Sequence, residues 1–190
     1  MIKNLEVTAA YWEARIKTYG FHSVTDLSLI ELTLDSLKLL LFGQALCRME
    51  DEGIPLVLTF SQVSPQGLAA CFVVPRACEG RVQDRVQEEI GLSGEGAVRA
   101  SPVEVVYFYG PHFGDRYGIA EAALKVLEGG GIRAKATSCS GSCVYLVLAE
   151  GQSEEAVRAL SQAFEIPRAA SQKAVVMNEG PESKMRRQKP

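Results

Sequence analysis

The stretch with the clearest chemical potential is Gly110-Pro111-His112-Phe113-Gly114-Asp115-Arg116-Tyr117-Gly118-Ile119, which follows an apolar run and leads into a helical one. A glycine-bearing loop that enters a helix presents several unpaired backbone N–H groups at the positive end of the helix dipole. That suits a carboxylate, such as the α-carboxylate of a free amino acid. Gly110 and Gly114 allow close backbone approach. Asp115 fits two roles, a helix cap or an acceptor for a ligand's ammonium group. Arg116 suits bidentate pairing with a carboxylate; it equally suits a surface charge, although its sign is mildly unfavourable in a first helical turn. The candidate ligand-binding residues are therefore His112, Phe113, Gly114, Asp115, Arg116, Tyr117, Gly118 and Ile119. The competing reading is an ordinary capped loop in which Asp115 satisfies neighbouring N–H groups.

Little else offers chemistry. His22 and His112 are the two histidines and stand far apart in sequence. A loop histidine without a partnering Cys, Ser or second His supports local hydrogen bonding better than catalysis. Cys139-Ser140-Gly141-Ser142-Cys143 sets two thiols around a hairpin turn, where a three-residue loop would face them across the strands. The readings are a reversible redox pair or a hairpin of small residues at a module interface. No basic or histidine neighbour activates either thiol or completes a metal site. No GxxxxGK[ST] phosphate loop occurs, so no nucleotide site is expected. Neither a cofactor, a metal nor a catalytic residue is expected.

The chain that must position these residues has 190 residues, 47% hydrophobic and 23% charged, with a formal net charge of -3. That length allows one large domain or two small ones, each with a core. A slightly acidic balance without a basic stripe argues against nucleic acid as a partner. No uncharged apolar run is long enough to span a membrane. Glu6 and Glu13 near the start, without a compact apolar segment, predict no secretory signal. Five cysteines, an odd number, fit free thiols in a reducing cytoplasm.

An internal near-repeat organises the chain. Leu27–Leu34 reads as a strand, Asp35 as the cap of a helix over Ser36–Glu52, and Gly53 with Pro55 as its stop. Leu39, Phe42, Leu46 and Met49 form its apolar stripe. Strands Leu56–Ser61 and Leu68–Val74 follow, then a helix over about Gly80–Ile90. The order then recurs: strand Val103–Tyr109, the glycine-bearing loop, helix Arg116–Glu128, strands Ile132–Ser138 and Cys143–Ala149, and helix Ser153–Phe164. Gly53-Ile54 and Gly131-Ile132 stand at the same place in each copy. Arg15–Val24 reads as an extra strand that needs a sheet to join. The pattern predicts an α+β protein of two ferredoxin-like βαββαβ units, with antiparallel sheets and helices on one face. The expected division is a leader over 1–26, a first unit over 27–100, a second over 101–167 and a tail over 168–190. In the tail Arg168, Lys173, Lys184, Arg186, Arg187 and Lys189 outnumber Glu179 and Glu182, and apolar periodicity is lacking beyond Met177, so it reads as basic and mobile.

Val103–Pro167 resembles an ACT domain. The matching residues are Val105-Val106-Tyr107-Phe108-Tyr109-Gly110, Gly114-Asp115-Arg116-Tyr117-Gly118-Ile119-Ala120, Leu127 with Gly131-Ile132, and Glu154–Leu160 with Phe164. The pair of units is similar to the tandem ACT regulatory region of aspartate kinases, with Gly53-Ile54, Phe60–Ser64 and Phe72–Pro75 at matching places in the first unit. The resemblance spans about Lys17–Pro167 and leaves no room for a kinase domain. It implies a non-catalytic regulatory protein that senses a small ligand, an amino acid, through allosteric regulation, as a homodimer, with a possible partner enzyme of amino-acid metabolism. It also implies that the leader strand joins the sheet of the second unit. Three departures stand out. Thr33-Leu34-Asp35-Ser36 passes from strand to helix without a glycine-bearing loop. Pro55 and Arg133 stand where the family commonly has Asn. Ser61 stands where the family has an effector-contacting Gln. They favour an alternative, an ACT-like adaptor that assembles with a partner and has lost its ligand.

Overall fold

The computed structural model describes residues 15–34, 38–64, 67–91 and 98–166. The expected cap Asp35, the start of the leader and the basic tail lie outside these residues. Among these residues six strands and four α-helices follow in the order β1 (Phe21–Leu34), α1 (Leu39–Asp51), β2 (Leu58–Ser64), β3 (Gly67–Pro75), α2 (Glu79–Ile90), β4 (Val98–Tyr109), α3 (Ile119–Gly129), β5 (Ala136–Ser140), β6 (Cys143–Ala149) and α4 (Ser153–Ala163). The α+β class and the repeated order agree with the sequence reading.

The two units share one sheet. Its strand order is β2-β3-β1-β4-β6-β5, and every pairing is antiparallel. Two long strands join the halves. The later part of β1 pairs with β3 through Leu27↔Pro75 to Leu34↔Leu68, while its start pairs only with β4, through Phe21↔Phe108 to Val24↔Val105. Conversely, Val98–Pro102 of β4 extend the first half, and Val103–Tyr109 pair with β6. Each half thus borrows its further strand from the chain of the other. Of the leader expected to join the second unit, Phe21–Val24 lie in β1 and pair with Phe108–Val105 of β4. Nearer the start, Lys17 bridges to Glu165, and the buried Thr18 hydroxyl donates to the Tyr109 carbonyl at 2.8 Å.

A bulge between Val24 and Leu27 sits where β1 crosses from one half to the other, with Asp26 in a left-handed conformation (φ 59). The extra residue restores the alternation of the strand, so that Val24 and Leu27 both keep to the helix-free face. On the other face all four helices pack, in two cores. Ile30, Leu32, Leu34, Phe72 and Val74 meet Ala45, Met49, Val82, Val86 and Ile90 in the first half. Val106, Phe108, Leu146 and Leu148 meet Ile119, Ala123, Leu127, Ala156 and Leu160 in the second. A third buried cluster, Leu27, Leu29, Cys71, Val73, Val103, Val105 and Val147, lies on the helix-free face and joins both halves. Burial of Cys71, together with the Glu31 carboxylate, pushes its thiol up to about 11 and makes it an inert packing group.

Between the two helix-covered cores runs a polar seam. The Ser28 hydroxyl donates to Glu79 at the start of α2 at 2.5 Å. The buried Glu104 carboxylate accepts the Ser153 N–H at the start of α4 at 2.8 Å. Arg76 spans the halves, with Glu150 at 2.7 Å and Asp26 at 3.6 Å.

Candidate functional site

The loop after β4 is built around two core anchors. Gly110 must be glycine: an added Cβ would lie 2.4 Å from the Lys17 carbonyl oxygen and 2.6 Å from the Phe113 ring. His112 turns the chain with φ 61, and the Asp115 N–H donates to the His112 carbonyl at 3.0 Å. Phe113 is thereby directed inward, where its ring meets Phe108 edge-on at 5.7 Å; Phe108 in turn packs on Phe21 at 5.1 Å and Phe164 at 5.3 Å. Ile119, the second anchor, is buried in the same core.

The helix begins later than the sequence pattern suggests, at Ile119 rather than Arg116. Gly118 occupies the cap position with φ 82 and no side-chain hydrogen bond. Asp115 is therefore not the cap. It lies outside the helix, largely exposed, with its carboxylate 3.9 Å from His112 Nδ1. One amide expected to be bare, that of Asp115, is held by the loop itself. The amides of a helix start that lack an intrahelical partner belong instead to the first turn of α3, which has no side-chain cap from Gly118.

A hollow of about 200 Å³ opens at that helix end, lined by Phe113, Arg116, Tyr117, Gly118, Ile119 and Ala120 from the loop and by Cys139, Gly141, Cys143 and Val144 from the β5–β6 hairpin. Five of the eight sequence candidates line it, and His112, Gly114 and Asp115 do not. Ala120 and Val144, small or apolar residues with no chemical signature, complete the lining and carried no signal in the sequence. Among the described residues of this lining Arg116 carries a charge and none is a carboxylate.

The hairpin differs from the expected three-residue loop. Ser140 pairs with Cys143 and Cys139 with Val144, so Gly141 (φ 55) and Ser142 form a two-residue turn. Residues one step apart in register point to opposite faces, which separates the Cys139 and Cys143 side chains across the hairpin. The redox-pair geometry is thus absent from this hairpin, and both thiols are free. Cys143 instead shares the helix-free face with Tyr145. Hydrogen bonding to Cys143, with burial and the nearby Cys143 and Tyr107 groups, raises the Tyr145 hydroxyl above its usual range. On that face Tyr145, Tyr107, His22, Tyr109 and Tyr19 form a row of neighbouring rings, with His22 stacked 5.0 Å from Tyr107 and 5.8 Å from Tyr109.

Among the described residues no group of three or more His, Cys, Asp or Glu side chains is placed to hold a metal ion, and no helix is long and apolar enough to cross a membrane. Larger hollows of about 660 and 670 Å³ flank α1; the first is lined by Leu46, Cys47, Ile54 and Leu56, the second by Leu39, Leu40, Gly43 and Cys47 among others.

No family model matches the sequence, and no curated protein sequence matches it. Solved structures do. The aspartokinase α and β subunits align over 76% of this chain and 96% of that chain, at 21% identity and a TM-score of 0.65. The regulatory subunit of aspartate kinase from Thermus flavus aligns over 77% and 97%, at 18% identity and 0.66. The ligand-free regulatory subunit from Thermus thermophilus aligns over 78% and 99%, at 18% identity and 0.65. At these identities the likeness establishes the fold: an interlocked pair of ACT-type units of the kind that forms aspartate kinase regulatory subunits.

Proposed function

We propose that this chain is a non-catalytic regulatory protein that binds a small amino acid between the loop Phe113–Ala120 and the β5–β6 hairpin. The observation that carries the reading is the hollow at the uncapped start of α3. A carboxylate placed there meets first-turn amides and the positive helix end, with Arg116 beside it. Phe113, Ile119, Val144 and the small hairpin residues then wall the ligand's side chain. With no carboxylate among the described lining residues, a distal ammonium group would find no partner there, which favours a short, uncharged side chain over a lysine-like one. Binding would favour one arrangement of loop and hairpin, a population shift that a partner enzyme reads.

A homodimer is part of this reading. β2 is an edge strand and carries Val63, 83% exposed, while on α1 Leu40 is 74% exposed and borders one of the hollows around that helix. Unpaired backbone groups at such an edge favour continuation of the ladder into a second copy. The free thiols fit a reducing, cytoplasmic setting.

The same exposed α1 surface favours a second reading, an adaptor that assembles with a partner enzyme and binds no ligand. Isothermal titration of the full chain against each protein amino acid separates the two. Saturable heat with a small uncharged amino acid is the expected result; no heat and no thermal shift with any of them would leave only the adaptor.

A further inference from the structure

A groove of about 380 Å³ lies at the far ends of α3 and α4, away from the hollow at the start of α3. It is lined by Val126, Gly129 and Gly130 on one side and by Ala159, Gln162 and Ala163 on the other. Glycine and alanine supply four of these six positions, so the two helices leave it unfilled beside their buried Leu127 and Leu160. The described chain begins at the rim of this groove. Arg15 donates through Nη2 to the carbonyl of Gln162, a lining residue, at 3.2 Å. Ile16 packs against the second core, and its carbonyl accepts the Glu165 N–H at 2.9 Å. These contacts fix the point from which the leader departs. In the sequence before that point Ile2, Leu5, Ala9 and Trp12 recur at steps of three and four, the spacing of one apolar stripe. Trp12, the one tryptophan of the chain, stands three residues before Arg15, a span of at most about 10 Å.

We propose that the groove between α3 and α4 is the docking site of this chain's own leader, with the Trp12 indole seated among Val126, Gly130, Ala159 and Ala163. Arg15 delivers the leader to the rim, and so short a tether gives Trp12 an effective concentration there that a separate molecule does not reach. Small side chains on both walls let a large ring approach the helix backbones, and an aromatic ring removes roughly 150–250 Å² from water when it is buried. The leader is then a plug on the helix-covered face of the second half, and its release uncovers an apolar groove there. Ligand binding at the start of α3 is not required for this docking.

Because Trp12 is the one tryptophan, the full chain reports on the docking directly. Wild type is expected to show emission shifted to the blue of free tryptophan and weaker quenching by acrylamide. Ala159→Glu, which puts a charge into the half-buried groove wall, is expected to move the emission to the red and bring the quenching towards that of free tryptophan, with unchanged circular dichroism. A second comparison locates the ring whether or not that variant folds. The methyl resonances of Val126, Ala159 and Ala163 should carry ring-current shifts in wild type that Trp12→Leu removes. Emission and quenching like those of free tryptophan in wild type would overturn the docking. So would a buried Trp12 whose replacement leaves those three methyl groups in place, since the ring would then sit elsewhere. Ring-current shifts that vanish on dilution below the concentration at which sedimentation detects a dimer would assign the groove to the leader of a second copy, and would overturn docking within one chain.

Discussion

Glu104 shows how much of the geometry of the second half depends on one carboxylate. Its burial alone would raise its proton affinity, but hydrogen bonds from the Ser153 hydroxyl and from the backbone of Ser153, Gly151 and Gln152 outweigh that and hold it below the usual range. The first half makes the same strand-to-helix tie with the partners exchanged, Ser28 on the strand and Glu79 on the helix. A carboxylate whose proton affinity is depressed by folding contributes stability above its unfolded pKa, and that stability is lost as pH falls through the folded value. Glu104→Gln is therefore expected to cost about 1–3 kcal/mol near neutral pH, since a buried helix start loses its charged acceptor. The same variant should show a flatter loss of stability between neutral pH and the acid range. Urea unfolding at several pH values checks both, and an unchanged midpoint in neutral solution would argue that the helix start is capped otherwise. Residue identity alone did not disclose this tie. Glu104 lies in a strand otherwise read as apolar, and its partner is remote in sequence.

The elements were legible where periodicity and punctuation agree. β6 begins and ends where the alternation of Cys143–Ala149 places it, and α2 stops at Gly91, which adopts the left-handed conformation expected of a terminating glycine. The misplacements share a cause. The sequence reading starts strands at Leu27 and Val103, directly after Asp26 and Pro102, two residue types poorly suited to a strand interior. In the fold both lie inside long strands at the crossing of the halves, where a bulge absorbs Asp26 and the Ser28↔Pro102 position separates the two cores. Only tertiary pairing keeps those strands continuous. α1 tells a similar story: Phe42 and Met49 turn inward as their spacing suggests, while Leu39 stays exposed at the helix end. As for the site, the loop and the hairpin were each visible in the sequence, but their meeting at one hollow was not. Glycine content flags where backbone turns, whereas the approach of Val144 to Ile119 is a consequence of how β6 and α3 stack.

At the scale of the molecule, the interlocked strands make the two halves one sheet, with a continuous apolar cluster beneath the crossing. Each half ends in an edge strand, β2 in the first and β5 in the second; they differ in that the second has the hollow at the start of α3 and the first an exposed apolar face on α1. Under the proposed reading, ligand and assembly are divided between them. Leu40→Asp combined with Val63→Lys should convert a dimer to a monomer in sedimentation velocity, because each puts a charge in place of a largely exposed apolar side chain, Val63 on the edge strand and Leu40 on α1, without touching a core. An unchanged mass would move the dimer interface elsewhere. The most direct check on ligand binding at α3 is a titration followed by backbone amide resonances of the full chain, with the amino acid that calorimetry selects. Saturable shifts concentrated at Gly118, Ile119 and Ala120, with smaller ones from Cys139 to Val144, are expected. Shifts gathered instead around α1 and Ile54–Leu56, or resonances that stay in place throughout, would contradict it.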